Sequence, residues 1–216
     1  MKINANDLST MEQRYRATLI NSLAGVRQVA LVGTQSPDGV NNLAIFNSLI
    51  HIGANPPLYG LLFRPATVRR DTLTNIFETG SYTINFPSSR YFMQSHQTSA
   101  KYGEQESEFD EVGLTAAHEP NVHAPFVKEA IVKMAMKYEE KVDISINGTI
   151  MIIGSIQMIC LPDRMVSEDG YVGHDLGDTL ACAGLDAYYR VSEIGRLSYA
   201  RPGQWSEPVE RTSVKA

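Results

Sequence analysis

Cysteine, tryptophan and surplus positive charge are all scarce in this chain. Its 216 residues contain two cysteines and one tryptophan, and 19 basic residues stand against 24 acidic ones, for a formal net charge of −5. That balance excludes a nucleic-acid or anionic-membrane surface as the main partner, because both need a clustered basic face. Cys160 and Cys182 show no CxxC spacing and no histidine partner motif, so they read as reduced structural thiols. The five histidines, His51, His96, His118, His123 and His174, lack HxH or HxxxH spacing, and no metal site is expected. Neither GxxxxGK[ST] nor GxGxxG occurs, which removes the phosphate loop and the dinucleotide fingerprint. No apolar run reaches the roughly 18 residues of a membrane span, and the start MKINANDLSTMEQRYRATLI lacks the apolar core of a signal peptide. The expectation is a cytoplasmic, soluble protein.

An apolar content of 43% and a charged content of 20% fit one globular domain with a sizeable core. Ser9 and Thr10 offer caps for an N-terminal helix with Met11, Tyr15, Leu19 and Leu23 at helical spacing. Two apolar runs flank Ser36-Pro37-Asp38-Gly39, a hairpin signal, and a second pair flanks Asn147-Gly148. Between them, LYGLLF and SYTINF read as strands around DTLTNIFETG, a helix capped by Asp71 and ended by Gly80. Ser88 to Thr115 is polar with weak helical periodicity, the composition of a segment lying over a site. The whole predicts an antiparallel barrel decorated with helices.

Two stretches carry chemistry. In FRPATVRRDTLTNI, Arg64, Arg69 and Arg70 precede a helix that opens with Asp71 and Thr72, so guanidinium groups and free helix N–H groups can converge on one anion. The other reading of these arginines is a set of solvated loop charges offsetting Asp71 and Glu78. In NNLAIFNSL, residues 41–49, strand alternation puts Asn42, Ala44 and Phe46 on one face and Leu43, Ile45 and Asn47 on the other. The run is too polar for plain core. It is either a ligand-lining strand or an edge strand. Glu106, Glu108, Asp110 and Glu111 read as a solvated acidic face.

Taken in order, Asp38-Gly39, Asn42 to Ser48, Pro56-Pro57, Arg70-Asp71-Thr72, Asn75-Ile76 and Asn85 resemble the flavin reductase-like family of FMN-binding split β-barrels. SHQTSAKYGEQESEFDEVGLT and APFVKEAIVKMAMKYEE extend the likeness, which runs over about residues 20 to 160. The resemblance implies a mainly β chain with helices, a split antiparallel β-barrel of Greek-key type, as a single domain over 1–216 with a C-terminal extension at 161–216. It implies FMN, its phosphate among Asn47, Ser48, Arg64 and the Arg69, Arg70, Asp71, Thr72 loop, and its ring along Asn42, Leu43, Ala44 and Phe46. Relatives commonly have Lys where Arg70 stands, and Arg keeps the charge while adding a fork that suits phosphate oxygens.

The implied activity is NAD(P)H:flavin reduction with NADH or NADPH as donor. The alternatives are a flavoredoxin-like electron carrier serving a redox partner protein and a binder of another anionic cofactor. A homodimer with the flavin near its interface is implied as well, with Ser95 to Lys101 as a candidate contact and Phe109 as an anchor. His96 is the one candidate for a catalytic role.

Overall fold

The computed structural model describes residues 1–65, 67 and 69–212. The last four residues of the expected C-terminal extension therefore lie outside the described residues. The helix expected after the Ser9 and Thr10 caps is α2 (Gln13–Leu23), and a separate helix not expected, α1 (Ala5–Thr10), precedes it and takes up both capping candidates. Asn4 and Asp7 close a capping box on α1, and the Glu12 carboxylate accepts the Tyr15 N–H to start α2 afresh. Met11, in an extended conformation, ends α1, and the Glu12 cap starts a new helix after it.

Strand β1 (Arg27–Gln28) leads into β2 (Ala30–Gln35), which turns at Ser36 to Gly39 into β3 (Asn41–Phe46). Gly39 takes a φ of +89°, the conformation that turn needs. The polar run expected as one strand stops at Phe46: Asn47 and Ser48 form a corner, and β4 (Leu49–Ala54) departs to pair with β5 (Pro57–Phe63). Helix α3 (Asp71–Thr79) follows, with Gly80 in the left-handed conformation. Its N-cap position belongs to Arg70, not Asp71, and carries no side-chain cap bond.

Strand β6 (Ser81–Phe86) comes next, then α4 (Phe92–Gln97), α5 (Glu108–Val112), and the short β7 (Ala116–Ala117) and β8 (Phe126–Val127). The long hairpin of β9 (Val132–Ile144) and β10 (Thr149–Cys160) turns at Gly148. The tail adds β11 (Leu180–Ala183), β12 (Ala187–Arg190), β13 (Arg196–Leu197) and β14 (Pro208–Val209). Among the described residues no helix is long and apolar enough to cross a membrane.

Seven strands make one antiparallel sheet in the order β3, β2, β6, β9, β10, β5, β4. Its two edge strands are consecutive in the chain, joined only by Asn47 and Ser48, so the sheet curls until both edges meet at that corner. Ala30, Val32, Leu61, Ile84 and Ile152 fill the concave core, closed by Leu73 and Ile76 of α3. On the other face of β3, Leu43 packs with Leu31 and with Phe109, which is 1% exposed and anchors α5 as expected. Asn85 donates to the Leu31 carbonyl (3.1 Å) and accepts the Val127 N–H (2.9 Å), while Thr83 donates to the Pro125 carbonyl (2.6 Å). The strand-ending asparagine is thus a main-chain brace that pins β8 across β2 and β6.

Gly154 sits where the β9–β10 register shifts. A Cβ there would overlap the Tyr82 hydroxyl and lie 2.8 Å from the Lys137 carbonyl. That hydroxyl is buried without a hydrogen-bond partner. Gly154→Ala is expected to destabilise the protein by about 2 kcal/mol through overpacking, and Tyr82→Phe to be neutral or stabilising, since it removes an unmatched buried polar group. The double variant should recover part of the loss in urea unfolding. Full stability of Gly154→Ala alone would refute the close packing.

Candidate functional site

A buried knot of amides and hydroxyls ties α3 to the β2–β3 hairpin. The Asn42 amide donates to Thr34 Oγ1 (3.1 Å) and to Thr72 Oγ1 (2.9 Å), and the Asn75 amide donates to Thr34 Oγ1 (3.1 Å). All four residues are buried. Because Thr72 accepts from Asn42, its own hydroxyl proton stays available for another acceptor. The knot fixes where α3 begins; the Leu73 N–H already donates to the Arg70 carbonyl (3.0 Å), which leaves the N–H groups of Asp71 and Thr72 as the first-turn donors without a partner among the described residues. Thr34 was not singled out in the sequence, and Asn75 was noted there only as part of the motif order and not as a site residue. The usable signal was Asn75 three residues after Thr72, on the same helical face.

The three arginines part company. Arg69 Nε donates to Asp71 Oδ1 at 2.5 Å, and its guanidinium also pairs with Glu104. It borders a polar cavity with Asn41, Asn42 and Asn75 and with the carboxylates Asp71, Glu104, Glu106 and Glu108. Four carboxylates against one cation make that cavity unsuited to a phosphate. Arg70, half-buried at the N-cap position, has a buried Nε with no hydrogen-bond partner among the described residues, while Arg64 is exposed. A buried guanidinium N–H without an acceptor is costly, and an anion at the start of α3 removes that cost.

Glu108 is not part of a solvated acidic face, as the sequence suggested. Its carboxylate accepts the Leu43 N–H at 2.9 Å from across 65 residues of chain. Burial raises its pKa, against the Leu43 and Glu108 amides, and the Asp71 charge adds to the rise. Asp110 and Glu111 remain exposed. Since the Leu43 N–H points away from β2, the alternation of an antiparallel strand turns the N–H and C=O of Ile45 to the same open edge and those of Ala44 and Phe46 toward β2.

The far end of β3 is tied elsewhere. Asn47 Nδ2 donates to the Gly184 carbonyl at 2.5 Å, and Ser48 Oγ to the Leu62 carbonyl at 2.8 Å, two residues before Arg64. The Phe46 ring meets Phe63 edge-on at 4.9 Å. Asn42 and Thr72 thus touch directly, and Ser48 reaches the strand that leads into Arg64. Among the described residues no hydrogen bond joins Asn47 to any of the three arginines. On α4, His96 Nδ1 lies 2.9 Å from the Tyr188 hydroxyl. Ser95 and Thr98 are buried within the chain, so they are not surface contacts. Both cysteines are free, and none of the described His, Cys, Asp or Glu residues group into a metal site.

Residues 25–174 match the flavin reductase like domain, and the chain belongs to that family. A split-barrel protein of Shewanella frigidimarina NCIMB 400, provisionally classed as a flavin reductase, is 43% identical, with a TM-score of 0.89 over 93% of this chain and 100% of that one. The flavoredoxin of Desulfovibrio vulgaris (Miyazaki F) is 25% identical, with a TM-score of 0.68 over 82% of this chain and 91% of the other. Nitrilotriacetate monooxygenase component B of Bacillus cereus, 23% identical over 91% of this chain and 98% of that one, shares the fold at a TM-score of 0.79.

The raised Glu108 pKa fixes the sign of a pH effect. The folded state holds the proton more tightly than the unfolded one, so the charged carboxylate costs stability above its folded pKa. That cost is relieved as pH falls through it. Glu108→Gln keeps an acceptor for Leu43 without the charge, so its melting temperature should exceed that of the wild type at pH 7 and lose the advantage in acid. A lower melting temperature for the variant at pH 7 would contradict this account.

Proposed function

We propose that the protein is an FMN-dependent NAD(P)H:flavin oxidoreductase. The observation that carries this reading is the unmatched, buried Arg70 Nε at the start of α3. The terminal phosphate of FMN supplies the missing acceptor there, held by Arg70 and Arg64, the first-turn N–H groups and the Thr72 hydroxyl. The ring then runs along the open edge of β3, where Ile45 offers main-chain groups and Asn47 stands at the corner. The flavin, when bound, supplies two-electron redox chemistry, taking hydride from NADH or NADPH. The chain binds, orients and shields it from water. In this reading Arg69 is a structural cation and not a phosphate ligand.

The flavoredoxin relative favours a second reading, an electron carrier that holds FMN, lacks a donor site of its own and passes electrons to a redox partner protein. Oxidation of NADH or NADPH by the purified holoprotein separates the two, since a carrier oxidises neither.

We further infer a homodimer. A compact chain of 23.9 kDa exposes about 9,900 Å², whereas this one exposes 13365 Å². The excess of about 3,500 Å² per chain is more than the roughly 1,000–2,500 Å² that each partner gives to an obligate interface, so one copy has ample surface to bury. Tyr15 and Leu23 of α2 and Ile194, Tyr199 and Trp205 of the tail stand in solvent in the single chain, and a second copy gives them cover. Both free thiols suit the reducing cytoplasm.

Arg70→Ala should weaken FMN binding by several-fold to about 100-fold, the loss of one or two charge-assisted hydrogen bonds, while Arg69→Ala changes it far less. Quenching of flavin fluorescence measures both, and equal effects would overturn the assignment. Sedimentation equilibrium should give twice the chain mass, and the lone tryptophan, Trp205, should emit as a buried indole. A monomer with a solvent-exposed indole would refute the dimer.

A further inference from the structure

Outside the anion corner, a cluster of three rings flanks the end of β3. Ile45 and Tyr188 both pack on Val29, Leu180 and Cys182. The Asn47 amide binds the Gly184 carbonyl and so docks the β11–β12 hairpin against the strand corner. Tyr188, on β12, therefore stands beside the stretch of β3 assigned to the flavin ring. Its hydroxyl meets His96 Nδ1 at 2.9 Å, with the two rings 5.7 Å apart at 89°. Phe92, one turn earlier on α4, lies 5.9 Å from the Tyr188 ring and is 42% exposed.

This arrangement is not needed for packing. His96 is exposed, and water would satisfy both of its nitrogens. The contact instead selects a tautomer where the phenol is the donor. Burial, with Cys182 and Asp186 nearby, pushes the Tyr188 pKa up to about 12, which keeps the phenol's proton in place for that donation. A neutral imidazole that accepts at Nδ1 carries its hydrogen on Nε2, which has no partner among the described residues. The surface thus offers aromatic faces with one oriented N–H donor, a match for a flat ring that bears an amide carbonyl.

We propose that Phe92, His96 and Tyr188 form the shelf that receives the ring of the flavin's reaction partner, with His96 Nε2 donating to its carbonyl oxygen. This inference rests on the flavin reading above. The shared chemistry, a planar ring with an amide carbonyl, has two sources: the nicotinamide of NADH or NADPH, or the isoalloxazine of a second, free flavin.

FMN binding by the wild type is measured first, by fluorescence quenching, and steady-state kinetics follow with donor and free flavin varied separately. His96→Ala should raise the KM for one of the two by about tenfold, the loss of one hydrogen bond, with the affinity for bound FMN unchanged. His96→Gln, which restores a donor, should recover most of it. Tyr188→Phe, which releases the tautomer, should fall between the two. A rise confined to the nicotinamide donor assigns the shelf to nicotinamide, and one confined to added flavin assigns it to a second flavin. Unchanged KM values for both, or a wild type that binds FMN yet oxidises neither donor, overturn the shelf. A wild type that binds no FMN overturns the functional reading itself, and the shelf with it.

Discussion

The site depends on the hydrogen-bonded knot of Thr34, Asn42, Thr72 and Asn75. It adds polar contacts beside the apolar ones where α3 meets the β2–β3 hairpin. Buried polar groups tolerate little misplacement, because each lost partner leaves a desolvated donor or acceptor. That intolerance makes the start of α3 a fixed point: Arg70 and the first-turn N–H groups arrive at the same place in every molecule, before any ligand does. An apolar interface of equal area would give the stability without the register.

Around that point charge is sorted. Arg69 turns to Asp71 and Glu104, beside a cavity lined with carboxylates, and Arg70 keeps a buried N–H with no acceptor. Arginines adjacent in sequence thus lie in opposite electrostatic surroundings, and only one of those surroundings suits an anion. Glu108 reaches back to Leu43 and blocks one amide of the open β3 edge, so the groups left there include the Leu43 carbonyl and both main-chain groups of Ile45. A strand edge that would otherwise invite pairing with another strand is kept for a ligand.

Much of this was written in local sequence. The turn chemistry of Gly39 and Asn147-Gly148, the end of α3 at Gly80 and the alternating faces of β3 follow from φ preferences and side-chain period, which short windows carry. Legibility ended where partners lie far apart in the chain. Nothing near Glu108 tells of Leu43, and nothing near Asn47 tells of Gly184. Helix α1 was missed, and the α2 cap was placed at Ser9 and Thr10 rather than Glu12, because glutamate is not a preferred N-cap residue; the corner at Asn47 and Ser48 was missed because a polar strand and a polar bend share a composition. For the site, the order of motifs put Asn42 and Thr72 at opposite ends of one ligand and did not show that they touch. It could not separate Arg69 from Arg70, whose fates are decided by Glu104, on a distant loop.

The central claim is that a phosphate, not the ring, fixes the ligand at the start of α3. Titrating the protein with FMN and with riboflavin, which lacks that phosphate, tests it most directly. The account predicts much weaker binding of riboflavin, by about tenfold or more for the loss of charge-assisted hydrogen bonds, and a gap between the two ligands that narrows in Arg70→Ala. Equal affinities for both ligands in the wild type would contradict it.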